Sequence, residues 1–224
     1  MLRLIQASDV VLYGEIMNTH ICDFLIMKNM MEKDVRDLLT DHIMKCHRRY
    51  NLALQLKGEE EVLSNPERYG YYREDNSSTA YSMYGNLIME DLLDTLTPTV
   101  EKITQLDLNP NYSYFSLYEH GNSLKKHIDR DDCEITLSLC LGYEGTSMPW
   151  PFYIGGDSIL LEAGDGVVYQ GKEYEHWRNP FSGEYHCQVF FHWTSKDGPY
   201  RAHKYDGRPY LGHPCVGNHY KKGE

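Results

Sequence analysis

Long apolar runs are missing from this chain, and none would span a bilayer. The opening stretch MLRLIQASDVVLYGE is no substitute. It has one or two early positive charges, Asp9 interrupts its apolar residues, and no small-residue cleavage site follows, so it does not read as a signal peptide. A soluble, cytoplasmic protein with no membrane partner is expected. Positive charge is also scarce: 22 Lys and Arg stand against 33 Asp and Glu, for a net charge of -11. A duplex nucleic-acid binder carries a basic footprint. Here only KCHRRY and HYKKGE are basic, and each is short, so no nucleic-acid partner is expected. There is no C-x-x-C pair among the six cysteines, Cys22, Cys46, Cys133, Cys140, Cys187 and Cys215. Three lie in strand-like apolar segments, and all read as reduced thiols, mostly buried, rather than as a disulfide framework. Internal repeats and low-complexity segments are absent as well.

What is present divides by texture. MEKDVRDLLTDHIMKCHRRYNLALQL has apolar residues at helical spacing. YGNLIMEDLLDTLTPTVEKITQL predicts a second helix that Pro98 breaks or restarts. Between them residues 66–84, rich in Tyr, Ser, Asn and Gly without a period, read as a long loop. From Tyr112 the chain becomes a series of short β-branched and aromatic runs punctuated by Gly, Asp, Asn and Pro: YSYFSLY, EITLSLCLG, PWPFYI, SILLEAGDGVVYQG, EYEHW and HCQVFFHWT. Such spacing suggests a sandwich or jelly roll. A single α+β domain over 1–224 is expected, with a mainly β core: helical support and loop over 1–110, the β core over 111–195, and an irregular tail over 196–224.

One short pattern carries chemistry. His127 alone among the 11 histidines is followed at the second position by an acid, Asp129. On a strand the two side chains would share a face. His176, in EYEHWRNP, lies on a later predicted strand. Two imidazoles and one carboxylate are the donor set that holds non-haem Fe(II) and leaves one side of the octahedron open. By the same alternation Arg178 shares the face of His176, and an arginine turned inwards demands a partner.

The segment YEHGNSLKKHID resembles the Tyr-x-x-Gly…His-x-Asp stretch of the Fe(II)/2-oxoglutarate-dependent dioxygenases, in particular the prolyl-4-hydroxylase-like branch. The similarity continues through ITLSLCLG, LLEAGDGVVYQG, EHWRNP and QVFFHW and covers the C-terminal half to two-thirds of the chain. It implies a double-stranded β-helix, the jelly-roll form, with packing helices before it. It further implies His127 and Asp129 as proximal ligands, His176 as the distal ligand, Fe(II) as the metal, and 2-oxoglutarate and O2 as co-substrates. The expected reaction is hydroxylation of a C–H bond in a peptidyl, amino-acid or small natural-product substrate. Tyr118 matches the family tyrosine that hydrogen-bonds the co-substrate, and Tyr114 shares its face.

The chain departs from the branch at the Lys or Arg that usually opens the last strand. SGEYHCQVFF offers His186, Cys187 and Gln188 there, and with Trp193 as anchor Cys187 takes the position. Arg178 is the nearest cation and the expected anchor for the far carboxylate. The alternative is a cupin-like metal-binding jelly roll that binds or senses without turnover. His120, Asp131 and Asp132 read as turn residues, His203, His213 and His219 as surface. His192 reads as a buried histidine close to the site, and Trp150, Phe152 and Tyr153 as core or pocket wall.

Overall fold

A computed structural model describes residues 12–13, 24–72 and 78–213. His219, Cys22 and Cys215 lie outside them. Eight antiparallel strands form the larger sheet: β1 (Leu12–Tyr13), β2 (Phe24–Met27), β3 (Tyr71–Tyr72), β4 (Tyr81–Tyr84), β5 (Leu108–Glu119), β7 (Ile135–Glu144), β10 (Gly166–Tyr169) and β12 (Tyr185–Ser195), in the order β1-β2-β10-β7-β12-β5-β4-β3. A second sheet holds β6 (Leu124–His127), β8 (Phe152–Ile154), β9 (Asp157–Ile159) and β11 (His176–Arg178), in the order β6-β11-β8-β9. Together they make the jelly-roll core. No described helix is long and apolar enough to cross a membrane.

The long central strands explain which face does what. On β12, Cys187, Val189, Phe191 and Trp193 are buried in one cluster with Phe115 and Leu117 of β5 and Leu137, Leu139 and Leu141 of β7. Helices α1 (Lys33–Lys57) and α4 (Leu87–Thr104) complete that cluster. Their buried apolar residues, Leu39, Ile43, Cys46, Tyr50 and Ala53 on α1 and Met89, Leu93, Leu96, Val100 and Ile103 on α4, recur at three- and four-residue steps, the period of one helix face. The opposite face of the same strands carries Tyr112, Tyr114, Ser116 and Tyr118, set in register against His192, Phe190, Gln188 and His186. Thr136, Ser138 and Cys140 of β7 pair with that row from the other side. This inner face looks towards the second sheet, and it is far more polar than the outer one.

Glu90 is an acid on the buried stripe of α4, only 1% exposed. One carboxylate oxygen accepts the Ser113 amide and hydroxyl at 2.7 and 2.9 Å. The other pairs with Arg208 at 2.8 Å and accepts the Gly212 amide at 2.9 Å. It thereby ties helix, sheet and the chain after β12 together. Glu90→Ala leaves the buried Arg208 guanidinium without its carboxylate, which costs about 3–5 kcal/mol; urea unfolding monitored by circular dichroism reads the loss.

Four sequence expectations change. Pro98 does not break α4, which runs through it. Pro98 and Asp94, whose carbonyl the missing amide would have met, are exposed, so solvent satisfies that group while the buried stripe holds the helix. The front of the chain contributes β2, β3 and β4 to the sheet, and short helices α2 (Glu59–Leu63) and α3 (Pro66–Tyr69) precede β3, so 66–84 is not simply loop. In EYEHW only His176 onward is strand; before it, Tyr174 N–H donates to the Gln170 carbonyl in a turn. Finally, β6 ends at His127, and Asp129 lies in the connection that follows.

Candidate metal centre

His127 and His176 end up side by side because β6 and β11 pair with these two residues opposite each other. Their ring centroids are 4.3 Å apart. Each ring is fixed by its own strand: His127 Nδ1 lies 2.8 Å from the Lys125 carbonyl and His176 Nδ1 2.9 Å from the Tyr174 carbonyl. A carbonyl can only accept, so in the neutral rings both Nδ1 atoms carry the proton and both Nε2 atoms, which face Asp129, present the lone pair a cation would take.

Asp129 reaches the same point by a bend rather than by strand alternation. Its amide donates to the Gly171 carbonyl at 2.9 Å, across from β10. The next residue, Arg130, forks onto Asp206 at 3.1 and 2.8 Å and pairs with Asp132 at 3.1 Å, holding the turn from the tail side. Asp129 Oδ1 then lies 3.5 Å from both Nε2 atoms. All three donor atoms fall within 4.8 Å of one another. Adjacent ligands of an octahedral first-row ion, bound at about 2.1 Å, sit about 3 Å apart, so these residues fit a metal with little movement. Burial pushes the Asp129 carboxyl up, but the two neighbouring imidazoles, His176 foremost, outweigh it and hold the group below the usual carboxylate range. It is ionised at neutral pH and would take a metal without first losing a proton.

Arg178 lies further along β11, 2% exposed and on the same inner side as His176 despite a register shift between them. Its guanidinium donates to the Trp150 carbonyl at 2.6 Å and to Gln188 Oε1 at 3.4 Å. It lies 4.7 Å from the Trp150 ring centre and 5.2 Å from that of Phe152. Gln188 is itself held: its amide nitrogen donates to Ser138 Oγ at 2.8 Å, and its oxygen also accepts from His186 Nε2 at 2.7 Å. Every one of these partners is neutral, and no carboxylate among the described residues pairs with Arg178. Desolvation lowers its pKa accordingly.

Tyr118 is buried against Trp150, and burial pushes its hydroxyl up to about 12, so it stays a protonated donor. Tyr114 shares its face and contacts Phe190, with ring centres 5.8 Å apart. Cys187 does not look into this space. It belongs to the helix-side core, while its neighbours His186 and Gln188 face inwards. Tyr153 also faces away, stacked on Trp177 at 5.1 Å. His192 is buried and bonded to Thr136 Oγ1 at 3.0 Å, and burial takes its imidazole down to about 4. His120 is exposed, His213 half-buried, and His203 is not free surface but binds Asp132 at 2.6 Å. Ser138 and Thr136 went unremarked in the sequence. Their signal was the hydroxyls at alternate positions of ITLSL, on a strand with apolar residues between them.

No protein-family model and no curated protein matches the sequence. Solved structures do match the fold. A prolyl-4-hydroxylase from Pseudomonas putida superposes with a TM-score of 0.55 at 15% identity, over 77% of this chain and 92% of that one. A viral collagen prolyl hydroxylase from Paramecium Bursaria Chlorella virus-1, in complex with 2-oxoglutarate, gives 0.55 at 12% identity, over 77% and 96%. A non-haem α-ketoglutarate-dependent carbocyclase of nogalamycin biosynthesis, SnoK, gives 0.57 at 12% identity, over 87% and 89%. In fold, then, this chain is a jelly roll of the kind found in prolyl-4-hydroxylase and other 2-oxoglutarate-dependent non-haem oxygenase structures.

Proposed function

We propose that the protein is an Fe(II)- and 2-oxoglutarate-dependent oxygenase that hydroxylates a C–H bond of a peptidyl, amino-acid or small natural-product substrate. The observation that carries the reading is a pair of features on one inner face: a two-histidine, one-carboxylate cluster, and beyond it a buried arginine that meets no acid among the described residues. His127, Asp129 and His176 would hold the iron and leave neighbouring positions for a keto acid and O2. Iron held there would let O2 act as the oxidant, one oxygen atom entering succinate as 2-oxoglutarate loses CO2 and the other entering the substrate C–H bond. The protein's part is positional. Thr136 stands beside Asp129, and two residues along β7 Ser138 bonds Gln188, which in turn bonds Arg178, so the metal cluster and the arginine lie on the order of 7 Å apart or more. That suits a five-carbon diacid with its keto end at the metal and its far carboxylate on the Arg178 fork. Tyr118 would donate its hydroxyl to the same anion. Burial of His176 and Arg178 keeps water from the arginine end and strengthens its contacts, while His127, 28% exposed, leaves the metal end open to solvent and substrate.

Both similar prolyl hydroxylases and the carbocyclase support a redox reaction at a peptide or small molecule, as proteins of the same fold. A metal-binding jelly roll without turnover leaves the charge of Arg178 with no purpose. The reading is tested by incubating the purified protein with Fe(II), ascorbate, O2 and 2-oxoglutarate and quantifying succinate by NMR. Iron-dependent succinate, formed slowly even without the substrate, is expected; succinate at the level of the iron-free control contradicts it.

A further inference from the structure

The two oxygens of Asp129 are treated differently by the fold. Oδ1 faces both imidazoles, 3.5 Å from each Nε2. Oδ2 is turned away, towards Gly171 and the Thr136 hydroxyl, 3.5 Å from the latter. A Cβ built on Gly171 would lie 2.1 Å from Oδ2, 3.0 Å from the Asp129 Cγ and 2.9 Å from Thr136 Oγ1. Oδ2 therefore occupies the space that any other residue at 171 would fill. Gly171 is not among the glycines with positive φ, so its backbone is open to alanine. What a methyl group there would displace is the carboxylate.

We infer that Gly171 is a positioning residue for the metal centre: its missing side chain is a socket that seats Oδ2 and presents Oδ1 alone to the ion. The inference rests on the metal-binding reading above and adds a residue to it. Three supports fix the carboxylate. The Gly171 carbonyl takes the Asp129 amide at 2.9 Å, the empty Cβ position takes Oδ2, and Thr136, itself held by His192 at 3.0 Å, closes the side. A carboxylate turned this way binds through one oxygen. The coordination position that a second oxygen would consume stays open for the keto acid or O2. The turn at 170–171 thus sets how many sites the metal offers, although it contributes no ligand.

A substitution should accordingly separate folding from metal binding. The clashing group is the end of a side chain that can rotate, so the metal-free protein escapes the overlap cheaply by moving Oδ2. The cost then falls on ligand geometry. Groups that orient a metal ligand are worth about 10- to 100-fold in metal affinity.

The test titrates Mn(II) into metal-free wild type, Gly171→Ala, Asp129→Ala and the double variant, reading free Mn(II) by EPR, and melts each metal-free protein. Gly171→Ala is expected to melt within about 4 °C of wild type and to bind Mn(II) about 10- to 100-fold more weakly, with no further loss when added to Asp129→Ala. If Gly171→Ala fails to fold, the double variant, which removes the carboxylate, must fold for the socket to stand. Both failing to fold would assign Gly171 to the chain path and overturn the inference. So would an affinity of Gly171→Ala equal to wild type, or an equal loss in the Asp129→Ala background, while the oxygenase reading survived. Wild type that binds no Mn(II) would overturn that reading itself, and the socket with it.

Discussion

Arg178→Met is expected to weaken 2-oxoglutarate binding without weakening the fold. Truncating one member of a buried, hydrogen-bonded charge pair costs about 2–5 kcal/mol of binding, roughly 30- to several-thousand-fold in Kd. The stability effect has the opposite sign from that of an ordinary structural arginine. In the metal-free protein the guanidinium is buried, and its partners among the described residues are neutral: the Trp150 carbonyl, Gln188 Oε1 and two aromatic rings. A side chain of similar length without charge removes an unfavourable desolvation and keeps most of the packing, so the apo protein should melt at or above wild type. Arg178→Lys restores the charge but not the fork and should fall between the two in affinity. Isothermal titration of 2-oxoglutarate into the Mn(II)-loaded protein, with thermal melts of the apo form, reads both signs at once. Unchanged affinity would remove Arg178 from the site.

Asp129→Ala should lower iron-dependent succinate formation to the iron-free background, with His127→Ala and His176→Ala close behind. Asp129 is the one anion of the donor set, and it sits between two imidazoles whose Nδ1 protons are committed to backbone carbonyls. Without it the ion meets two neutral nitrogens and the remaining charge of the pocket, which is positive at Arg178. Asp129→Asn keeps the size and loses the charge, so it separates electrostatics from shape; it too should be inactive, with the fold intact by circular dichroism. Turnover by Asp129→Ala at a tenth of wild type or more, a generous allowance of about 1.4 kcal/mol, would place the chemistry elsewhere.

The donor set was legible because it needed little geometry: one H-x-D, one later histidine, and strands on either side. The reason given for their meeting was only half right. Alternation along one strand does not align His127 with Asp129, since β6 ends between them. What aligns them is a turn pinned by the Gly171 carbonyl and the Arg130–Asp206 pair, contacts between residues 42 and 76 positions apart that no local pattern reveals. Arg178 was readable by its step of two from His176. Its neighbours Gln188 and Ser138 were not, because they arrive from two other strands. Counting back from Trp193 puts Cys187 at the position of the family's Lys or Arg. Trp193 and Cys187 share the helix-side face, as their even spacing along β12 implies, so the inward neighbours are His186 and Gln188. Strands β2 and β4 escaped notice as four-residue segments, FLIM and YSMY, with little alternation in hydrophobicity. They are strands because long neighbours offer them hydrogen bonds, a tertiary cause rather than a local preference.

The central claim is that His127, Asp129 and His176 hold one ferrous ion on which 2-oxoglutarate closes a chelate ring. Anaerobic addition of Fe(II) and then 2-oxoglutarate tests it directly, because a keto acid chelated to ferrous iron gives a visible charge-transfer band that neither component has alone. The account predicts that band at one equivalent of iron in wild type and its absence in Asp129→Ala. A wild-type protein that binds both components without the band, or an Asp129→Ala variant that shows it undiminished, would contradict the account.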